Sequence, residues 1–345
     1  MKKYSFMYDY SEGAHPNILR ALSETNLSQQ AAYGADEYCE QAKALIHTHL
    51  KMPEASIYFV ASGTLANLII IASLLRPHEA VIAAQSGHIA AHETGAIEAT
   101  GHKIITMPSG DGKLTPADID AAIAANSMAP HMAKPRLVYI SNATETGRVY
   151  NKLELTALSK TCRENGLLLM LDGARLGAAL TAEGQDLTLA DIAALTDVFW
   201  IGGTKAGALI GEAIVINPAR LPANFAAEFP YHVKQRGALL AKGRLLGLQF
   251  RELFKGDLYF ETARHANTCA QDLSKGLAAA GYQFSAPAET NQIFPILPND
   301  LVDRLEEKFS FYRWAEHGAD HTVLRLVTSW ATPPEKILQF INSIK

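Results

Sequence analysis

The chain has 345 residues, 48% of them hydrophobic and 19% charged, which is enough apolar material for one large domain and a smaller companion. Its formal net charge is −4 and no basic block interrupts it, so neither nucleic acid nor an anionic membrane is expected as the main partner. Cys39, Cys162 and Cys269 sit at unrelated spacings and suit reduced thiols in a cytoplasmic protein rather than a disulfide frame. The longest apolar stretch, 68–75, is too short to span a bilayer, and no apolar signal core follows Met1-Lys2-Lys3.

Residues 1–15 carry no helical period and read as an extended arm. The segment 16–50 reads as mainly helical, interrupted near Tyr33-Gly34. From Ser56 onward short apolar runs alternate with amphipathic ones. Strands are expected over 57–60, 80–84, 103–107, 136–140, 167–171, 198–201 and 212–216, with helices over 65–75, 116–125 and 153–165. This alternation predicts an α/β fold with a mainly parallel sheet covered on both faces. A long helix is expected over 237–252. A different pattern follows: a helix over 261–280, strands over 282–284 and 292–296, a helix over 300–308, strands over 309–314 and 323–327, and a helix after Pro333-Pro334. The expected division is an N-terminal arm 1–15, a large domain 16–250 and a smaller α+β C-terminal domain 251–345.

Open α/β sheets bind ligands at the carboxyl ends of their strands, and four segments fall there. In Phe59–Asn67, strand, glycine turn and helix start follow one another, so backbone N–H groups and the hydroxyls of Ser62 and Thr64 suit a phosphate. An ordinary capped helix would use the same residues. Neither the dinucleotide nor the nucleoside triphosphate glycine motif occurs. His88 follows the strand 80–84, where an imidazole could stack on a planar cofactor and transfer protons. His88 and His92, four residues apart, lack a convincing third ligand, so no metal site is expected. Asp172 ends the strand 167–171 in Leu171-Asp172-Gly173-Ala174-Arg175, and Lys205 lies in Gly202-Gly203-Thr204-Lys205-Ala206-Gly207 after the strand 198–201. A lysine for a Schiff base and a carboxylate that keeps a pyridinium nitrogen protonated are what a pyridoxal 5'-phosphate enzyme needs. Singly, Asp172 could be a helix cap and Lys205 a surface lysine; together with the other two segments they point to one site.

On these residues the chain resembles the low-specificity L-threonine aldolase/aromatic amino acid β-eliminating lyase family of fold type I pyridoxal phosphate enzymes. The match runs through Ser11-Glu12, Tyr33-Gly34-x-Asp36, Ser62-Gly63-Thr64-x-x-Asn67, His88-Ile89, Glu93-x-Gly95-Ala96, Asp172-Gly173-Ala174-Arg175-Leu176 and Arg325-Leu-Val-Thr328. The resemblance implies that Lys205 carries the cofactor, Asp172 pairs with its ring nitrogen and His88 stacks on its face. It implies that Ser62, Gly63 and Thr64 hold the phosphate, with Thr204 where the family usually has serine. Ser11, Arg175 and Arg325 would meet the substrate carboxylate or the cofactor. Tyr33 and Lys234 would be offered across a subunit interface, implying a homodimer or homotetramer with shared active sites. Thr144 and Ser329 stand where the family has histidines, which leaves the proton acceptor open among His88, Glu12, Tyr33 and Glu145. The implied reaction is retro-aldol cleavage of a small L-3-hydroxy-α-amino acid such as threonine or allo-threonine. Alternatives are β-elimination from a serine-, cysteine- or tyrosine-like substrate, cleavage of a β-aryl substrate such as phenylserine, or cofactor binding without catalysis.

Overall fold

Runs of Val, Ile, Leu and Ala long enough for a strand and too short for a helix build the centre of the molecule. In the computed structural model, which describes residues 3–344, they form a seven-stranded sheet. Its spatial order is Ser56–Val60, Glu212–Ile216, Val198–Gly202, Leu168–Asp172, Lys134–Ser141, Glu79–Ala84, Lys103–Met107. Only Glu212–Ile216 runs antiparallel to its neighbours. The strands Glu79–Ala84, Leu168–Asp172 and Val198–Gly202 are buried at every position, as strands covered on both faces must be. Alternate side chains divide between two cores: Ile82, Ile140, Leu171, Ile201 and Val215 on one face, Val81, Tyr139, Met170, Trp200 and Ile214 on the other.

The second unit is an antiparallel sheet built around His321–Val327, which pairs with Gln292–Ile293, Pro295–Pro298 and Tyr312–His317. The helices Leu258–Ala279 and Pro334–Ser343 share its core through Leu273, Leu277, Ile337 and Phe340. The N-terminal segment is tied to this unit. Tyr4–Ser5 pairs in parallel with Phe309–Ser310, Phe6 is fully buried, and the Phe6 carbonyl accepts the Val327 N–H at 2.8 Å. Met1 and Lys2 of the expected arm lie outside the described residues. Among the described residues no helix is long and apolar enough to cross a membrane.

Among the departures from the sequence expectation, three lie in the helical segments. The helix expected over 237–252 starts only at Arg244, because the backbone of Gly243 packs against Gly34, 2.5 Å from where a Cβ would be, and Gly237 has φ 71°. The helix Phe225–Gln235 was not expected, since Pro230 lies inside it. The break in 16–50 is wider than expected: one helix is Pro16–Thr25 and the next, Glu37–Leu50, is capped by the Asp36 carboxylate accepting from Cys39 N at 2.9 Å.

Candidate active site

The carboxyl ends of the parallel strands open into a cavity of about 370 Å³. Ser62, Gly63, Thr64, His88, Asp172, Arg175, Thr204 and Lys205 all line it. Helix Gly63–Leu74 begins at its wall with Ser62 as N-cap, the Ser62 hydroxyl accepting from Leu65 N at 3.4 Å. A Cβ on Gly63 would sit 2.7 Å from Cη2 of Trp200, and Trp200 is held by its Nε1–H donating to Asn67 at 2.9 Å. Only glycine lets this helix start so close to the ring. Gly173 is equally constrained, its missing Cβ overlapping the Trp200 carbonyl oxygen.

Asp172 lies buried between three donors. Its Oδ2 accepts from the Tyr139 hydroxyl at 2.6 Å and from Asn67 Nδ2 at 3.0 Å, and its Oδ1 from Ala174 N at 2.9 Å. Burial, reinforced by the Asp172 charge, pushes the Tyr139 hydroxyl well above its ordinary range, so it stays a donor. Asn67 also donates to Glu93 Oε1 at 2.8 Å, and the same oxygen lies 2.8 Å from His88 Nδ1. Because a carboxylate only accepts, Nδ1 carries the proton, which leaves Nε2 of the neutral ring as acceptor. One chain of hydrogen bonds thus fixes both Asp172 and the His88 tautomer.

Lys205 reaches the cavity from the turn Thr204–Ala206. Among the described residues no hydrogen bond or ion pair holds its amine. Burial, then the Arg175 charge, lower its pKa to about 8 against the pull of Asp9, Asp172 and Glu212. About a tenth of the amine is therefore unprotonated at pH 7 and about nine-tenths at pH 9. Uptake of an aldehyde cofactor by the cofactor-free protein is expected to accelerate about tenfold between those pH values and then level off, followed by stopped-flow absorbance. A rate still climbing tenfold per unit beyond pH 9 would show an amine at its ordinary value.

Arg175 is gripped by Asp9, Nε to Oδ2 at 2.7 Å and Nη2 to Oδ1 at 3.0 Å, with Asn291 Nδ2 adding a bond to Oδ2 at 2.9 Å. Burial alone would raise the Asp9 pKa. The charges of Arg175 and Lys205, with these hydrogen bonds, outweigh it and hold the carboxyl at about 2. Arg325 does not line the cavity. Its Nε and Nη2 donate to Gln292 Oε1 at 3.1 and 2.6 Å, and its guanidinium lies 6.0 Å from the Tyr312 ring and 5.6 Å from Trp314. Burial and the neighbouring Arg175 charge lower its pKa to about 10.

Other expected residues fall elsewhere. Ser11 is exposed, its hydroxyl donating to the Tyr8 carbonyl at 3.5 Å, and Tyr10 lines the cavity in its place. Tyr33 lines a different cavity of about 340 Å³, with Lys234 Nζ 5.0 Å from its ring centre. Thr144 is buried and turned away, its hydroxyl donating to the Asp111 carbonyl at 3.1 Å. Beside it Glu145 does face the cavity, accepting at Oε1 from His88 N at 3.0 Å and Ser141 Oγ at 2.9 Å; burial, then Asp172, raise its pKa. Ser329 donates to Glu12 at 3.2 Å. The roles of Asp9, Tyr139 and Glu212 carried no sequence signal, while Asn67 and Glu93 were visible only as motif letters.

Residues 11–299 match the β-eliminating lyase family. The chain is 34% identical to a low specificity L-threonine aldolase from a Pseudomonas species, over 99% of this chain and 96% of that protein. It is 33% identical to the protein of the same description from Pseudomonas aeruginosa, with the same coverage. A threonine aldolase from Leishmania major superposes with a TM-score of 0.95 at 48% identity, covering 99% and 98% of the two chains. Thermus thermophilus aspartate aminotransferase shares the fold alone, with a TM-score of 0.71 at 16% identity over 99% and 90%. The cavity fits pyridoxal 5'-phosphate: an unheld, half-buried lysine, a donor-saturated carboxylate, a partly exposed imidazole and a helix N-terminus with two hydroxyls share one space. The chain belongs to the β-eliminating lyase family, fold type I lyases that depend on pyridoxal 5'-phosphate.

Proposed function

We propose that the protein cleaves L-3-hydroxy-α-amino acids, L-threonine and L-allo-threonine among them, to glycine and an aldehyde. The reading is carried by the unheld Lys205 amine sharing a cavity with Asp172 and with a His88 whose Nε2 is left as acceptor. The relatives described as L-threonine aldolases, aligned end to end with this chain, support the substrate.

Ser62, Gly63 and Thr64 would hold the cofactor's phosphate, Asp172 its ring nitrogen and Lys205 its aldehyde carbon. Bound there, pyridoxal phosphate supplies an electron sink for the pair released when a bond at the substrate α-carbon breaks. His88 Nε2 takes the proton of the β-hydroxyl, and Glu93 at Nδ1 stabilises the positive charge that the ring then carries. Arg175, which lines the cavity, draws the substrate carboxylate and orients the bond that breaks, and Arg325, held by Gln292 outside the lining, adds positive charge behind it. Thr204 supports Lys205 rather than the phosphate, since its hydroxyl donates to Glu212 at 2.9 Å. Tyr33 and Lys234, paired away from the cavity, are the groups we expect a second copy of this chain to receive, in a cytoplasmic homodimer or homotetramer.

Purified protein incubated with threonine, allo-threonine, phenylserine and serine is expected to release glycine with the matching aldehyde. Pyruvate with ammonia as the main products would overturn the aldol reading in favour of β-elimination.

A further inference from the structure

Glu212 opens the one antiparallel strand of the large sheet, in register with Gly202 on the strand that leads to Lys205. It is 5% exposed, and among the described residues no lysine or arginine forms an ion pair with it. A carboxylate so deeply buried needs either partners or a function. Its partners are the two residues just ahead of Lys205: Oε2 accepts from Gly203 N and Oε1 from the Thr204 hydroxyl, both at 2.9 Å. Gly211 N then donates to the Thr204 oxygen at 3.2 Å, closing the turn. Gly203 cannot be enlarged to compensate for a loosened turn, since a Cβ there would lie 2.6 Å from the Gly211 carbonyl and 2.9 Å from Phe250. Glu212 and Lys205 line the same cavity.

We propose that Glu212 is the positioning residue of Lys205: its carboxylate locks the turn that presents the amine and adds a buried negative charge to those of Asp9 and Asp172. The other charges around the pair are tied to other partners: Arg175 makes a two-pronged bond to Asp9, and Asp172 accepts from Tyr139, Asn67 and Ala174, while both still act on the amine through space. Tyr10 offers the amine only a ring face, 5.9 Å from Nζ, and Tyr259 stands near Glu212 as a neutral phenol that burial keeps protonated. Across the cavity the Glu145 carboxylate accepts from the His88 backbone N–H, and the His88 ring is held by Glu93. Burial raises the Glu212 carboxyl and lowers the Lys205 amine, drawing their ordinary values toward each other.

The inference rests on Lys205 being the cofactor lysine, and two readouts separate the two ideas. In the cofactor-loaded enzyme, Glu212→Gln removes the charge and keeps the shape, and the pH midpoint of the cofactor absorption band is expected to fall by about one unit or more. In the cofactor-free full chain, cyanate labelling of Lys205 at pH 7, read by peptide mass, is expected to accelerate about fivefold as the unprotonated fraction rises. Glu212→Asp keeps the charge one methylene further back and is expected to show a smaller fall. That variant decides the matter if Glu212→Gln does not fold. An unmoved midpoint and unchanged labelling would overturn the role of Glu212. Borohydride reduction that fixes the cofactor to a different lysine would overturn the assignment of Lys205, while the labelling rate still tests Glu212.

Discussion

Lys205→Ala is expected to lower threonine cleavage by at least about 10⁴-fold, the scale of losing a catalytic nucleophile. Alanine removes the one cavity amine that no hydrogen bond or ion pair holds, and burial has already lowered that amine to about 8 so that it reacts near neutral pH. No nearby group replaces it, because Arg175 is bound to Asp9 and Arg325 to Gln292. The fold is expected to survive, since relieving a buried ammonium of its desolvation removes a destabilising term. Steady-state kinetics and borohydride trapping of the cofactor on the protein check both parts: turnover and covalent attachment disappear together while the melting temperature holds. Retained turnover with no cofactor bound to position 205 would sink the assignment.

Asp172→Asn comes next, with kcat expected to fall by about 10²- to 10³-fold, the range seen when one preorganised charged partner is removed. The side chain keeps its size, but one acceptor oxygen becomes an NH₂ donor in a place surrounded by donors. If the amide nitrogen faces Tyr139 and Asn67, two donors meet it. If it faces Ala174 N, that backbone N–H is left unpaired. Each lost bond in the interior is worth about 1–3 kcal/mol, so a lower melting temperature accompanies the kinetic loss. Cofactor affinity and kcat measured on the folded variant separate the two effects. A variant that melts early yet turns over normally would show Asp172 to be structural.

The strands of the large sheet and the two helices at 116–125 and 153–165 were legible because their signals are local. Each strand is a short apolar run bounded by glycine or polar residues, and the helix Pro116–Ala125 begins at a Thr115 capping box that can be read in four letters. The helix at 225–235 was hidden by Pro230, and the start of the one at 244 by an Ala- and Leu-rich approach that looks helical by composition. There the deciding term was packing of Gly243 on Gly34, more than two hundred positions away in the chain, which no local pattern carries.

The site divides along the same line. The sequence by itself determined the cofactor chemistry. Lys205, Asp172, His88 and the Ser62-Gly63-Thr64 turn each stand at or after the carboxyl end of a strand, where open α/β sheets gather their ligand-binding groups. Tertiary structure alone decided what surrounds them. Asp9 meets Arg175 across 166 residues of sequence, Asn67 reaches Asp172 across 105, and Glu212 faces inward from the single antiparallel strand. A carboxylate in a sequence is an acidic letter with an ordinary pKa. Whether it is a solvated surface group, an arginine clamp or a buried brace of the turn before Lys205 depends on its burial and its neighbours, and both are fixed only when distant segments pack together.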